Sequence, residues 1–498
     1  MTSIFVSCKS EITNISINPI SIYKKLREKY REDELFLLES MSGPEKDCNK
    51  SIIAFDPIFT LKINEFSFSF SGIDGVVDFV SKHETMSSFI TDQNGGKFKS
   101  GFDLIRLLRA IENIFSVEYE NYEGDVNFGF FGYFGYDTVF YFEDIEKHLK
   151  RSDDFSTIHL SIYRAVFNID IRNKSTQLVL SNSEYFGELN RDEILKSFNE
   201  DQVVDEFPPS IATTNIPHPS ITSDEYYSWF NIAKGHIDIG NVYQIQLGHD
   251  IRVESDIKPY DVYLRMREYN PSPYMYFFKT TEGVYVIGAS PEMFITLTGS
   301  RNVFMRPIAG TIKNSTDIKE KEKNRKILLS DEKECAEHLM LVDLCRNDIS
   351  RVCIPNTLKV DELQVTEEYS HVIHIVSHVS GILTDGYDKY NLLESTFPAG
   401  TMTGTPKIRA VEIIENTETS PRGIYAGCIG YFGFDNVMVT ALCIRTAIYK
   451  DGIYTIRASG GIVEDSTKQG EWEETINKLS STYFAITNKE LHDENFAS

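Results

Sequence analysis

The strongest constraint on this chain is a period-two alternation of apolar and polar residues in runs too short for helices. FTLKINEFSFSFSG (59–72) and FSTIHLSIYRAVFNIDIRN (155–173) carry it in the first half. Side chains that alternate faces at every residue fit half-buried antiparallel strands. Helical spacing interrupts the pattern in IYKKLREKY (22–30) and FDLIRLLRAIENIF (102–115), and again in one long stretch, EKEKNRKILLSDEKECAEHLMLVDLCRND (320–348). TAIYKDGIYTIRASGGIV reads as a hairpin turning at Asp451-Gly452. Strands and helices do not alternate as strict βαβ units, so the fold class is α+β with large antiparallel sheets.

A linker is expected at 206–222, where prolines cluster and periodicity lapses. It divides an N-terminal region (1–205) from a second region (223–485) followed by a short tail (486–498). Ser223 is the expected N-cap of the helix that opens the second region. GFFGYFGYD (129–137) and GCIGYFGFD (427–435) repeat one pattern, GxxGYFG-aromatic-D. The glycines at period three indicate two similar strands packed near each other, each admitting a neighbouring backbone closely. No helix start is read after either copy, which argues against a nucleotide-binding loop.

The formal net charge is −24, which argues against nucleic-acid binding. It also means that a site for an anionic ligand needs local cations. Seven cysteines lie scattered without a CxxC pair, as in a protein with reduced thiols. With no signal peptide and no apolar run of membrane-spanning length, a soluble cytoplasmic protein is expected, with no membrane partner.

Several residues stand out chemically. Glu334 and Glu337, and again Glu471 and Glu474, sit three apart in helical patterns, so each pair shares a helix face. Two such pairs can hold a hard divalent cation, although spacing alone more often describes solvated surface glutamates. His371, His374 and His378 have spacings that would suit zinc on a helix, but their Val- and Ile-rich surroundings read as a strand, which separates His371 from the others. PIAGT (307–311), FPAGTMTGTPK (397–407) and ASGGIV (458–463) are glycine-rich turns whose N–H groups can face an anion. Arg445 lies in an apolar strand pattern, where it needs either an internal salt bridge or a bound anion.

Taken in order, PIAGT, KECAEHLMLVDLCRND, YSHVIHIVSHVSG, FPAGTMTGTPKIRAVEIIE, GIYAGCIGYFGFD, IRTAIYKDGIYTIRASGGIVEDS and EWEETINK resemble the chorismate-binding enzyme family over about residues 223–485. FLLES (36–40) and FGFFGYFGYD (128–137) extend the resemblance to anthranilate synthase large subunits. The resemblance implies a sandwich of two antiparallel sheets surrounded by helices. It implies Mg²⁺ on Glu337 and Glu474, supported by Glu334 and Glu471. It implies chorismate held by Arg445, Tyr425, Lys478 and the backbone around Gly310, Thr311, Ser459, Gly460 and Gly461. Glu292 matches the general acid that protonates the departing C4 hydroxyl, its pKa raised by burial and neighbouring carboxylates. His374 and Thr401 match positions beside the reacting ring.

Two positions separate branches of the family. Aminodeoxychorismate synthases carry PIKGT, whose lysine attacks C2; here Ala309 removes that nucleophile. Isochorismate and salicylate synthases use a lysine to activate water; the matching position here is Gln244, which cannot act as a base. Ammonia is therefore the expected nucleophile, giving anthranilate and pyruvate, or 2-amino-2-deoxyisochorismate if pyruvate stays attached. A non-catalytic binding protein of this fold is not expected, because the metal glutamates and Glu292 are all present. The resemblance also implies a glutamine amidotransferase partner to supply ammonia. It further implies L-tryptophan as an inhibitor near Leu37–Ser40 and Asn270–Met275, with Ser40, Pro273, Tyr274 and Met275 lining the pocket. The stretch that follows LLES departs from the family's usual form, reading NKSIIAF.

Overall fold

The computed structural model describes residues 3–15, 18–43, 50–92, 94–98, 103–120, 126–151, 154–196, 198, 217–369, 372–492 and 496. Most of the expected linker, His371 and Cys48 lie outside them.

The fold is α+β, and its strands form one hydrogen-bonded network. In the N-terminal region β1 (Leu35–Glu39), β2 (Lys50–Asn64), β3 (Gly129–Phe134) and β4 (Ile158–Asp170) pair antiparallel in the order β1–β2–β4–β3. The C-terminal region contributes β5 (Gln244–Glu254), β6 (Tyr274–Lys279), β7 (Ile308–Lys313), β8 (Val372–Ile382), β9 (Cys428–Gly433) and β10 (Ile453–Ile462). The two regions interleave, because β1 pairs with β6 and β3 pairs with β9. The two expected sheets are thus joined by shared ladders. Among the described residues the one parallel pairing is Ile4–Thr13 with Phe115–Glu120.

The β3–β9 ladder is the pairing of the two repeated nonapeptides, with Gly132 opposite Gly430. A Cβ on Gly132 would stand 1.8 Å from the His159 carbonyl oxygen on β4. The period-three glycines therefore let three backbones approach. A short 3-10 turn and one helical turn, Val139–Phe142, do follow the first copy, contrary to the sequence reading. They start beyond the strand, and the glycines themselves lie in the ladder.

Four helices pack against the strands that carry the site, α1 (Ser223–Asp238), α2 (Ile318–Ser330), α3 (Glu332–Ser350) and α4 (Lys468–Thr487), and of these α3 and α4 line it. The cap of α1 is Thr222 rather than Ser223. Its hydroxyl accepts from the Glu225 N–H while Glu225 accepts from the Thr222 N–H, a reciprocal capping box. The long helical pattern of 320–348 is two helices. Asp331, with ψ at 107°, ends α2, and its carboxylate accepts from Lys333 and Glu334 to start α3. That break aims the first two turns of α3, with Glu334 and Glu337, into the site.

α1 and α4 pack on β5 and β10 around Tyr226, His249 and Trp472, with the His249 and Trp472 rings stacked 4.8 Å apart. Full burial of one such aromatic contributes about 1.5–3 kcal/mol, so this cluster fixes the register of α4 against the strands. The six described cysteines are free thiols. No helix among the described residues is long and apolar enough to cross a membrane.

Candidate active site

A cavity of about 640 Å³ opens between α3, α4 and the ends of β5, β7, β8 and β10. Its wall carries Glu292, Gly310, Thr311, His374, Thr401, Tyr425, Arg445, Ser459, Gly461 and Lys478, together with Glu334, Glu337, Glu471 and Glu474. Residues scattered over nearly two hundred positions thus converge on one volume. Of the residues expected in the site from the second region, Gly460 alone does not line it. A Cβ there would sit 2.8 Å from the Tyr226 hydroxyl and 3.1 Å from the Glu471 carbonyl, so Gly460 permits α4 to dock.

The glutamate pairs face the cavity from two helices. Burial, with Lys333 opposing and Glu334 and Glu474 assisting, pushes the Glu337 carboxyl up to about 7. Burial and the repulsion of Glu474 push Glu471 up to about 7. Burial works against the charge on Glu474 as well, but the ammonium of Lys478, 2.6 Å away, outweighs it and holds that carboxyl below the usual value. Glu337 Oε1 and Glu471 Oε2 are buried without a hydrogen-bond donor. Buried carboxylate oxygens that repel one another and lack donors fit a divalent cation taking one or two carboxylates plus other oxygens. They do not form a closed ligand set. The described residues whose carboxylate and imidazole atoms all lie within 4.8 Å of one another are Glu362, Glu367 and His378, at a different place in the sheet. There Arg306 pairs with Glu367, and His378 Nε2 stands 3.2 Å from Glu362. His374 and His378 therefore serve different surroundings, and the described histidines form no zinc cluster.

Glu292 lines the same cavity and is buried. Desolvation pushes its carboxyl up to about 8, against the opposing effects of the Thr401 hydroxyl, 3.2 Å from Oε1, and of Lys478. Neighbouring carboxylates, expected to help, do not contribute. Such a group holds its proton at neutral pH.

Arg445 is not within a strand. It sits at the break between Met438–Leu442 and Thr446–Lys450 with φ of +50°. Among the described residues no carboxylate lies within salt-bridge distance of it, so its guanidinium faces the cavity unneutralised. Burial lowers its pKa, with Tyr425 and Glu474 opposing. A desolvated, unpaired guanidinium is stabilised by an anion that accepts two N–H bonds.

Gly310, with φ of +70°, forms a bulge between Ala309 and Thr311 on β7. A Cβ at Gly310 would touch Glu334 Oε2 at 3.0 Å. The Gly310 carbonyl and the Thr311 hydroxyl each lie 3.0 Å from His374 Nδ1. A carbonyl oxygen only accepts, so Nδ1 carries the proton and Nε2 keeps its lone pair. Burial pushes the His374 pKa down to about 4, so the ring is neutral at physiological pH.

The sequence reading missed a polar layer behind this wall. Ser459, expected to act through its backbone, also engages by its hydroxyl, 2.7 Å from Tyr425 Oη and 3.0 Å from Gln246 Oε1. Arg422 donates to Glu418, Met402 O and Gln246 O, while Arg457 donates to Glu418 and Asp250. This buried network ties the Thr401 turn to β5 and β10. Its signal was present: Gln246, Asp250 and Arg457 are polar residues in otherwise apolar strands, which burial requires to be paired.

A cavity that brings together an unpaired guanidinium, a protonated carboxylic acid, a neutral imidazole and glutamate pairs can support acid-assisted chemistry on a small carboxylated molecule. Comparison with known proteins gives that class its family. Residues 76–483 match the family model described as chorismate binding enzyme, and the chain belongs to that family. It is 37% identical over 476 residues to the 2-amino-4-deoxychorismate synthase of Streptomyces globisporus, covering 94% of each chain. It is 33% identical over 492 residues to anthranilate synthase component 1 of Acetivibrio thermocellus, covering 94% of this chain and 92% of that one. The crystal structure of anthranilate synthase component I from Streptococcus pneumoniae TIGR4 superposes with a TM-score of 0.69 at 28% identity, covering 87% of this chain and 92% of that one.

Proposed function

We propose that the protein aminates chorismate at C2 with ammonia and then expels pyruvate, so that it acts as an anthranilate synthase. The observation that carries the reading is the pair of residues at the cavity wall that bear no basic group. Ala309 and Gln244 both line the cavity, and the family resemblance matches them to positions where other branches carry a lysine. The nucleophile must then arrive with its own lone pair, as ammonia does. Gln244 Oε1 is buried without a hydrogen-bond partner and offers an acceptor to an ammonia N–H.

Each residue then has a role. Arg445, with Tyr425 beside it, takes the enolpyruvyl carboxylate. Mg²⁺, held by Glu337 and Glu474 with Glu334 and Glu471 in support, supplies positive charge for the ring carboxylate when bound. Lys478 adds a third cation, so the −24 chain presents local positive charge to a dianion. Ammonia forms the C2–N bond, the ring double bonds shift, and the C4–O bond breaks as Glu292 gives its proton to the leaving hydroxyl; the carboxylate so formed takes back the proton that the new C2 ammonium loses. His374, neutral with Nε2 unprotonated, removes the C2 proton, the C3–O bond breaks and the ring becomes aromatic, and the released enolpyruvate takes up that proton on its methylene carbon to become pyruvate.

A second reading has a specific observation behind it. The Streptomyces relative is named for a product with an amine at C2 and no oxygen at C4, and it matches this chain nearly end to end. In that reading the reaction stops before pyruvate leaves. Aminodeoxychorismate synthase, with its amine at C4, lacks its lysine here. Product analysis decides: purified chain, chorismate, Mg²⁺ and ammonium should give anthranilate and pyruvate in equal amounts by mass spectrometry. An amino diene that keeps its enolpyruvyl group supports the second reading. A 4-amino product or isochorismate overturns both. Glutamine in place of ammonium should give no product without an amidotransferase subunit, the partner this reading requires.

We also propose that the N-terminal region carries feedback control by L-tryptophan. In support, the two segments concerned lie side by side: Met275 pairs with Glu39, and the Met41 N–H donates to Ser272 O. Glu39 accepts from Arg267 and from the Tyr263 hydroxyl, and the Ser40 N–H donates to Ser51 Oγ. Ser51 belongs to the stretch that departs from the family's usual form.

A further inference from the structure

One cavity residue has no part in the chemistry above. Lys333 lines the site from the first turn of α3, one turn before Glu337. Its ammonium stands 3.7 Å from Glu337 Oε1, the buried oxygen that meets no hydrogen-bond donor. A lysine in a first helical turn opposes the helix dipole, which favours anions there. Something else must favour a cation at this position, and the four glutamates do.

Lys333 differs from the other lysine of the site. Lys478 is fixed, 2.6 Å from Glu474 Oε1 and donating to Ser459 O at 2.9 Å. Lys333 has no such second anchor for its ammonium among the described residues. Its side chain is 43% exposed, and its contact with Glu337 is longer than a hydrogen bond. A long flexible stem of this kind can carry its charge out to water without disturbing the helix.

We infer that Lys333 is a displaceable counter-ion. Its ammonium neutralises the glutamate cluster while no divalent cation is bound, withdraws when one binds, and so sets the metal affinity of the site. The inference rests on the metal reading of the four glutamates. Its electrostatic reach is consistent: the Lys333 charge favours the ionised form of Glu334, Glu337, Glu471 and Glu474 alike. A cation that serves all four carboxylates weakly is easily replaced by one that binds two of them strongly.

The test uses the full chain without substrate, as wild type, Lys333→Met and Lys333→Arg. Mg²⁺ binding is measured by titration calorimetry, and thermal unfolding is followed in EDTA and in saturating Mg²⁺. Lys333→Met should bind Mg²⁺ about two- to fivefold more tightly, the range expected for removing a half-exposed competing ion pair. It should unfold at a lower temperature than wild type in EDTA, and at the same or a higher temperature in Mg²⁺. Lys333→Arg, which keeps the charge, should bind no more tightly than wild type. Unchanged or weaker binding by Lys333→Met, or an unchanged melt in EDTA, overturns the inference while leaving the metal site intact. Wild type that takes up no Mg²⁺ overturns the metal reading itself, and the inference with it.

Discussion

Replacing Thr401 by Val removes one hydroxyl and keeps the branched shape, so it isolates a single hydrogen bond at the acid. That hydroxyl lies 3.2 Å from Glu292 Oε1, where it favours the ionised carboxylate against desolvation. A hydrogen bond to a charged group is worth about 1.5–3 kcal/mol. At 3.2 Å this one is long for its type, so about 1.4 kcal/mol is a fair figure, which is about one pH unit. The sign follows directly. Glu292 works while protonated, its carboxyl is pushed up to about 8, and the acid is lost as pH rises through that value. Losing the hydroxyl makes ionisation harder, so the descending limb of kcat/KM against pH should move upward by about one unit. The assay follows anthranilate fluorescence across pH, with ammonium adjusted to hold free ammonia constant, because the nucleophile's own titration rises in the opposite direction. A limb that stays put, moves down, or is missing from the wild type refutes the argument. Glu292→Gln should show no limb and lose about 10²- to 10⁴-fold in rate.

Arg445→Lys keeps the charge and loses the planar fork; kcat/KM for chorismate should fall roughly 10- to 150-fold, from about 1.5–3 kcal/mol of charge-assisted bonding, and an unchanged value would refute its role. Glu337→Ala and Glu474→Ala should each abolish most turnover at limiting Mg²⁺ with the circular dichroism spectrum preserved; near-normal turnover of both sinks the metal assignment. Ser40 is buried beside β6, so Ser40→Phe should fill the proposed effector pocket and abolish tryptophan inhibition with catalysis retained. Wild type that neither binds tryptophan by calorimetry nor responds to millimolar amounts would remove that proposal.

Legibility of the fold followed the range of each signal. Alternation and helix spacing are local, and they located β2, β4 and the Asp451-Gly452 turn, where φ is positive at both residues. Local patterns cannot say which strand pairs with which. The joining of both regions into one network through β1–β6 and β3–β9 came from non-local pairing. The break at Asp331 was missed for another reason. The apolar spacing of 320–348 runs unbroken through it, and the stop is a backbone dihedral stabilised by a cap on the far side. Ser223 lost the cap to Thr222 because Glu225 stands three residues after Thr222, and reciprocity decides between neighbouring hydroxyls.

The site shows why residue type and residue environment must be read separately. Spacing placed Glu334 with Glu337 and Glu471 with Glu474, yet spacing alone could not tell a cavity from solvent, and only the packing of α3 opposite α4 does so. Arg445 was conspicuous as a charge among apolar neighbours, and its alternatives were an internal salt bridge or a bound anion. At 445 the strand breaks and no described carboxylate lies within salt-bridge distance, although Glu474 acts on the guanidinium from farther off, so the proposed function gives it a bound anion. For Glu292 the raised pKa was anticipated but its cause was half wrong. Burial supplies it, no carboxylate contributes, and the charge that acts on it is the Lys478 ammonium, which opposes the rise. That balance of burial against charge matters chemically. A metal placed beside the acid would draw the carboxyl back toward ionisation, as any nearby cation does. Lys478 links the two parts of the site: it holds Glu474 ionised from 2.6 Å and also opposes the proton on Glu292, which burial nonetheless keeps.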